Sequence, residues 1–236
     1  SIQKFLLQLA AAVAFLSLMR FEGSLTPNLY VPFINRSLTL PWVVYMVFAA
    51  FVVVGTVNAV NITDGIDGLA SSVTVPVALF FSVVAIWWKY YQLGVFAAAL
   101  LGGLLGFLVY NFYPARVFMG DTGSLAIGGI IAVTAIIIHK ELLIPIICFV
   151  FVMESVSVLL QTNVAKAGNK RGQKWRVFKR APIHDAFRIK PRQLSPDLKI
   201  LLKWPQGCWL ESKITTRFWI VTIIMAALAI VTLKIR

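Results

Sequence analysis

Acidic residues are scarce in this chain: nine of 236, against 22 lysines and arginines, for a formal net charge of +13. Charged side chains make up only 13%, about half the share found in soluble domains. Two cysteines, Cys148 in an apolar run and Cys208 in a basic stretch, are too few and too differently placed for a disulfide framework. Nor do they supply the four closely spaced ligands of a zinc site. Histidine occurs twice, at His139 and His184. The chain has no Walker A pattern, no GxGxxG and no HExxH, which removes the signatures of phosphate-loop, dinucleotide-binding and zinc-peptidase chemistry. It shows no internal repeat and no low-complexity tract, and no segment reads as a cleavable signal peptide.

What the chain has instead is apolar length. It is 59% hydrophobic with a mean hydropathy of +0.85, far above a soluble domain. A membrane-crossing helix needs about 20 mostly apolar residues. Seven runs qualify, at about 5–19, 42–60, 69–88, 95–110, 124–139, 142–161 and 218–233. The expected fold is all-α, a polytopic membrane helical bundle forming one domain over 1–236. The fifth and sixth runs are separated only by Lys140 and Glu141, which predicts a tight turn there. Successive spans alternate direction, so the break at 61–68, the break at 111–123 and the loop at about 162–217 share one membrane face. That loop holds 14 of the 22 basic residues, and the positive-inside rule makes its side cytoplasmic. Lys234 and Arg236 dissent from the rule. Concentrated in this way, the positive charge points to anionic lipid headgroups or phosphorylated substrates, not to nucleic acid. Around Trp175, Val177 and Phe178 the loop is expected to lie on the membrane as an amphipathic helix.

Three of the nine acids fall in the two breaks. In Asn61-Ile-Thr-Asp-Gly-Ile-Asp-Gly68, the polar residues Asn61, Asp64 and Asp67 recur every third position and share a face if the segment is helical. Gly65 and Gly68 let a ligand or another backbone come close. Carboxylates in such places carry a high cost unless they bind something, and a divalent cation holding a phosphate fits them. The plainer reading is a helix cap, and Asp121-Thr122 invites the same reading before the run at 124. The second break also offers Asn111, Arg116 as a fixed charge for phosphate, and Phe112 and Phe118 for stacking or interfacial anchoring. In the basic loop, His184 has Arg180, Asp185 and Arg188 nearby, and a carboxylate can orient an imidazole. Glu154 lies within the sixth run, either lining the same cavity or bonding a neighbouring helix. Gln161 closes that run. Gly102, Gly103 and Gly106 form a small-residue pattern expected to serve helix packing. Of two glycosylation sequons, at Asn35 and Asn61, the second faces the cytoplasm.

The stretches Asn61-Ile-Thr-Asp-Gly-Ile-Asp-Gly-Leu-Ala70 and Phe118-Met-Gly-Asp-Thr-Gly-Ser-Leu-Ala126 resemble those of the polyprenyl-phosphate N-acetylhexosamine-1-phosphate transferases. Ala181-Pro-Ile-His184 and the segment from Arg217 to Arg236 are similar to the branch that acts on UDP-N-acetylmuramoyl-pentapeptide. The resemblance implies a bacterial inner-membrane enzyme. Undecaprenyl phosphate attacks the β-phosphate of the UDP-sugar, giving lipid I and UMP for peptidoglycan, with Mg²⁺ as cofactor. It implies Asp121 as metal ligand, Asp64 at the reacting phosphates, and Asp67 and Asn61 on the nucleotide side. Asn111 and Gln161 would contact substrate, Phe118 would stack on uracil, and His184 would act near the pyrophosphate. It also implies a homodimer. The family's three consecutive histidines read here as His184-Asp185-Ala186. Members have ten spans and an adjacent Asp-Asp pair. This chain shows seven spans and no such pair, so it is expected to correspond to the last seven and to be inactive alone. The alternatives are a transferase of N-acetylglucosamine-1-phosphate to a polyprenyl phosphate and, further off, an ion-coupled transporter.

Overall fold

The computed structural model describes residues 2–34, 36–190, 194–195, 197–204, 207–233 and the backbone of 234. The sequon residue Asn35, Arg192 of the basic loop and the Arg236 terminus lie outside the described residues. The apolar runs are helices: α1 (Ile2–Phe21), α2 (Trp42–Thr63), α3 (Leu69–Trp87), α4 (Tyr91–Asn111), α5 (Gly120–Ile137) and α9 (Glu211–Lys234). These six are long and apolar enough to cross a membrane. At 1.5 Å per residue α2 alone extends about 33 Å, enough for a hydrocarbon core of about 30 Å.

The sixth run is not one straight span. A 3₁₀ turn (Glu141–Leu143) leads into α6 (Ile144–Ile147), and α7 (Phe149–Asn169) departs at 84°. The hinge is Cys148, whose φ of −98° and ψ of 27° lie in the bridge region instead of the helical well. Hydrogen bonding continues through it, from the Cys148 amide to Ile144 at 2.8 Å and from the Val152 amide to Cys148 at 3.0 Å. The bent pair still carries the chain between the two ends of α2. Its start meets Tyr45, and the segment following it returns to Gly65.

Helix α3 is the hub. Fourteen of its 19 residues are buried, as befits a helix apolar on every side, and it packs against α4 and α9. Helices α2 and α5 cross closely because Gly128 has no side chain. A Cβ there would stand 2.6 Å from Val57 Cα and 3.0 Å from the Thr56 carbonyl. The glycines expected to pack helices do not do so within this chain. A Cβ on Gly102, Gly103 or Gly106 would meet nothing within 4 Å among the described residues, because α4 turns that face outward.

At one end of the bundle a hairpin, β1 (Asn28–Val31) with β2 (Arg36–Thr39), pairs antiparallel with Leu29 opposite Leu38. It roofs Lys140, whose Nζ lies 3.1 Å from the Tyr30 ring centroid and 4.4 Å from that of Trp88. At the other end the basic loop is shorter than its sequence bounds, since α7 runs to Asn169 and α9 begins at Glu211. No amphipathic helix forms at Trp175. That residue lies in β3 (Lys174–Arg176), paired parallel with β4 (Leu198–Ile200). The reason is local: the Gln161 carboxamide accepts the amides of Val177 and Phe178 at 3.0 and 3.1 Å, which holds the chain extended. A short helix, α8 (Ile183–Arg188), follows.

Candidate functional site

Residues of α1, α2, α5, α7, α8 and α9 and of the 112–119 loop converge at the loop end of the bundle. Helix α2 ends at Thr63, and Asp64 is its C-cap, with φ −76° and ψ 49°. The 61–68 segment is therefore helical only at its start, and Asp67 leaves the face that Asn61 occupies. The fold uses the difference. Asp67 Oδ2 accepts the Ala115 amide at 2.9 Å and the Asp67 carbonyl accepts Thr215 Oγ1 at 3.1 Å, so Asp67 ties the 112–119 loop and α9 to the aspartate turn. Gly68, at φ +69°, reverses the chain into α3 in a conformation that side chains rarely adopt.

Asn61 and Asp121 meet across the α2–α5 crossing. Asn61 Nδ2 donates to Asp121 Oδ1 and to Ser124 Oγ, both at 2.9 Å. The helix-cap reading of Asp121 fails. The cap position is Met119 with no side-chain bond, and Asp121 sits in the first turn of α5, where the helix dipole favours a negative charge. Its carboxylate is 73% exposed and lies 3.0 Å from Lys4 Nζ, which also reaches Asn61 Oδ1 at 3.0 Å. An ammonium thus already sits against the carboxylate expected to hold a cation. Asp64 is more enclosed. Burial raises its carboxyl to about 6, and the charge of Asp121 adds to the rise. The two carboxylates are therefore electrostatic neighbours.

His184, on α8, is buried against the same turn. A Cβ on Gly65 would collide with His184 Nε2 and stand 2.8 Å from Cε1, so the imidazole rests on the glycine between Asp64 and Asp67. Behind it, Glu154 is fully buried on α7. The Glu154 carboxylate accepts the His184 backbone amide at 3.2 and 3.4 Å and lies 3.1 Å from Nδ1. That last approach is an ion-pair distance without hydrogen-bond alignment. Of the two readings of Glu154, the bond to a neighbouring element is the one observed, and it fixes the site's histidine.

The remaining amides face inward. Asn111 Nδ2 donates to the Val117 carbonyl at 2.9 Å and its Oδ1 accepts Ser71 Oγ at 2.6 Å, which shapes the loop carrying Phe118. Gln161 braces the basic loop, as described above. Phe118 itself is 72% exposed, at the rim of an apolar groove of about 420 Å³ between α4 and α5 that Gly103, Phe107 and Ile127 also line. Sequence reasoning missed Lys4, Ser71, Ser124 and Thr215. Lys4 alone left a signal, a basic residue in the first turn of an apolar helix on the aspartate face.

For a divalent cation, the described residues contain no group of three or more His, Cys, Asp or Glu arranged to hold one. Asp121 fits it in the manner of Mg²⁺ sites that use one or two carboxylates and take further oxygens from substrate phosphates, with Asp64 as its electrostatic neighbour.

Fold and site together define a polytopic helical membrane protein with a carboxylate cluster at one end of its bundle. The sequence model of glycosyl transferase family 4 matches residues 1–139, more than half of the chain, and the chain belongs to that family. It is 48% identical over 217 residues to a phospho-N-acetylmuramoyl-pentapeptide-transferase of Phocaeicola vulgatus, covering 86% of this chain and 51% of that protein. It is 47% identical to one of Bacteroides fragilis, covering 84% and 50%. It is 43% identical to one of Clostridium acetobutylicum, covering 98% and 65%. The chain spans about half the length of the first two of these curated relatives.

Proposed function

We propose that the protein carrying this chain transfers phospho-N-acetylmuramoyl-pentapeptide from its UDP-linked precursor to undecaprenyl phosphate, releasing UMP and forming lipid I. The observation that carries this reading is the convergence of Asp64, Asp121, Asn61 and His184 at one end of a membrane bundle, in a chain whose similar proteins bear that enzyme's name. A soluble nucleotide and a lipid phosphate can meet only at the membrane surface, and the polar end of the bundle is such a place. We take that end to be cytoplasmic from the basic loop beside it; the homodimer belongs to the same reading.

The reaction is phosphoryl transfer, in which positioning and charge neutralisation do most of the catalysis. A phosphate oxygen of the lipid attacks the β-phosphorus, and the bond from that phosphorus to the bridging oxygen of UMP breaks. Asp64, with its carboxyl raised to about 6, is ionised at neutral pH yet basic enough to take a proton from the attacking phosphate, whose own second ionisation lies near 6. Asp121 would hold Mg²⁺, which would supply neutralisation of the phosphate charge, leaving Asp64 free to take the proton. Asn61 holds Asp121 in place, and Lys4 is the cation that the metal would exchange for. His184, set on Gly65 and steadied by Glu154, turns Nε2 to the aspartate turn, where it would act on a pyrophosphate oxygen. Phe118 offers an exposed face for uracil. Asn111 and Gln161 keep the flanking loops in register.

The test is UMP release by the purified full-length protein, reconstituted with undecaprenyl phosphate and Mg²⁺. Turnover with UDP-N-acetylmuramoyl-pentapeptide is expected. Turnover with UDP-N-acetylglucosamine and none with the muramoyl precursor would overturn the substrate assignment.

A further inference from the structure

The basic loop forms an open pocket of about 450 Å³ lined by Arg176, Lys179, Arg180, Ile189, Ser195 and Leu198 among others, and nothing in the reaction above uses it. Its charges do not balance. Arg180 pairs with Asp185 at 3.4 Å, and Arg188 pairs with Asp185 at 2.9 Å and with Glu211 at 2.8 Å. Two arginines thus face two carboxylates. Arg176 and Lys179 are left over, with no carboxylate within 4.0 Å of either among the described residues. Lys179 is only 6% exposed, and its single described hydrogen bond is a long one, 3.4 Å to the Gly207 carbonyl. Arg176 is half-buried, and among the described residues its side chain has no hydrogen-bond or carboxylate partner, while its backbone is held by the β3–β4 pairing and the Leu201 amide. A buried ammonium without a counter-ion is unfavourable unless an anion completes it. Two uncompensated cations beside a pocket therefore call for an oxyanion.

The surroundings select the source of that oxyanion. The wall strand β4 runs directly into Leu201, Leu202 and Trp204, which are 56%, 51% and 54% exposed, with Lys203 between them. Exposed leucines and a tryptophan interleaved with lysine are the character of a segment seated in the headgroup layer. A basic pocket beside such a segment matches a lipid headgroup better than a soluble ligand. We propose that Arg176, Lys179 and Arg180 form a binding site for the phosphate of an anionic phospholipid, docking the basic loop on the membrane surface next to His184.

The experiment reads binding, so its outcome does not depend on the reaction proposed above. Full-length protein in neutral detergent is titrated with short-chain phosphatidylglycerol, and bound lipid is counted by native mass spectrometry. Matched phosphatidylcholine and inorganic phosphate form the other two arms. Wild-type protein is expected to retain phosphatidylglycerol in preference to phosphatidylcholine and to bind inorganic phosphate more weakly. Arg176→Gln is expected to lower the phosphatidylglycerol affinity about tenfold, as loss of one charge-assisted contact does. Arg176→Gln with Lys179→Gln is expected to abolish the preference. Arg176 is half-buried and unpaired, so its single variant decides the matter even if the Lys179 change disturbs folding. Unchanged phosphatidylglycerol affinity in a folded Arg176→Gln protein would overturn the site. Equal affinity for inorganic phosphate and phosphatidylglycerol would overturn the lipid assignment, and so would displacement of the lipid by an acidic peptide.

Discussion

The two ends of α2 treat charge in opposite ways. At the Tyr45 end, Lys140 lies under the rings of Tyr30 and Trp88, and the Tyr45 hydroxyl donates to buried Glu141 at 2.6 Å. Lys140 and Glu141 are both buried there, and the β1–β2 hairpin covers Lys140. At the Asn61 end, Asp121 is exposed, and its partners are the ends of a lysine and an asparagine side chain. A lysine on a flexible stem can be exchanged for another cation, whereas a tyrosine locked in a core cannot. Charge held by fixed, buried partners serves architecture. Charge held by replaceable partners at an opening is available to a ligand.

The largest expected effect breaks the open end. Asp121→Asn in the full-length protein is expected to lower UMP release about 10³-fold, the scale seen when one charge-stabilising group is removed from an active site. The melting temperature should hardly move, since the carboxylate is exposed. A near-normal rate in a folded variant would remove Asp121 from the chemistry. Gly65→Ala comes next. The backbone tolerates alanine there, because Gly65 is not among the positive-φ glycines, but the added methyl displaces the His184 ring. A misplacement of about 1 Å costs roughly 10²-fold in rate, so kcat is expected to fall by about that factor with KM for the UDP-sugar little changed. Glu154→Gln, which keeps an acceptor for the His184 amide, is expected to lose about tenfold, and Glu154→Ala more. Equal losses in the two would show that only the carboxylate charge of Glu154 matters, since the glutamine keeps both its bulk and its acceptor.

The closed end should respond in the other currency. Tyr45→Phe leaves a buried carboxylate without its donor, which destabilises by about 1–3 kcal/mol. UMP release per folded molecule should stay within a factor of about two, because the change lies nearly the full length of α2, about 30 Å, from Asp64. A large drop in turnover at unchanged stability would mean that the two ends are coupled and the contrast between them is false.

Much of this contrast was legible in the sequence, for physical reasons. Hydropathy alone marks the crossing runs, since each must exclude water along its whole length, and alternation of direction then groups the 61–68, 111–123 and basic-loop segments at one end. What escaped depends on single dihedral angles or on tertiary partners. Pro145, three residues before Cys148, marks a helix start in the sequence, but it reports neither the hinge at Cys148 nor its 84° angle. The three-residue spacing of Asn61, Asp64 and Asp67 suggests one helical face, but the helix stops at Thr63, and Asp67 becomes a tie to Ala115. Gly128, not the more conspicuous glycines of α4, makes the close helix crossing, because closeness depends on what stands opposite and a pattern does not report that. Lys4 left only a faint signal, a basic residue at the start of an apolar run, yet it bonds both Asn61 and Asp121.

The smallest effect concerns Asp64, which shares features of both ends: enclosed like Glu141, yet beside the open carboxylate. Its folded carboxyl lies near 6, above the ordinary 3.8, chiefly because burial disfavours the charged form. The folded state therefore holds that proton more tightly than the unfolded chain does. The resulting stability is fully present below about pH 3.8, declines as pH rises through 6 and is gone above it. Water reaches the group and screens part of the effect, so in chelator-treated buffer a fall of roughly 2–4 °C in melting temperature, about 1 kcal/mol, is expected between pH 4 and pH 7 on account of Asp64. Asp64→Asn should remove that component. The same proton competes with cations, so Mn²⁺, used as a spectroscopic probe, should bind wild-type protein more weakly by up to tenfold per pH unit below about 6. If the melting curves of wild type and Asp64→Asn run parallel across this window, the carboxyl is not perturbed in the protein. Asp64 would then resemble an ordinary surface acid, and the case for it as the proton acceptor would fall with it.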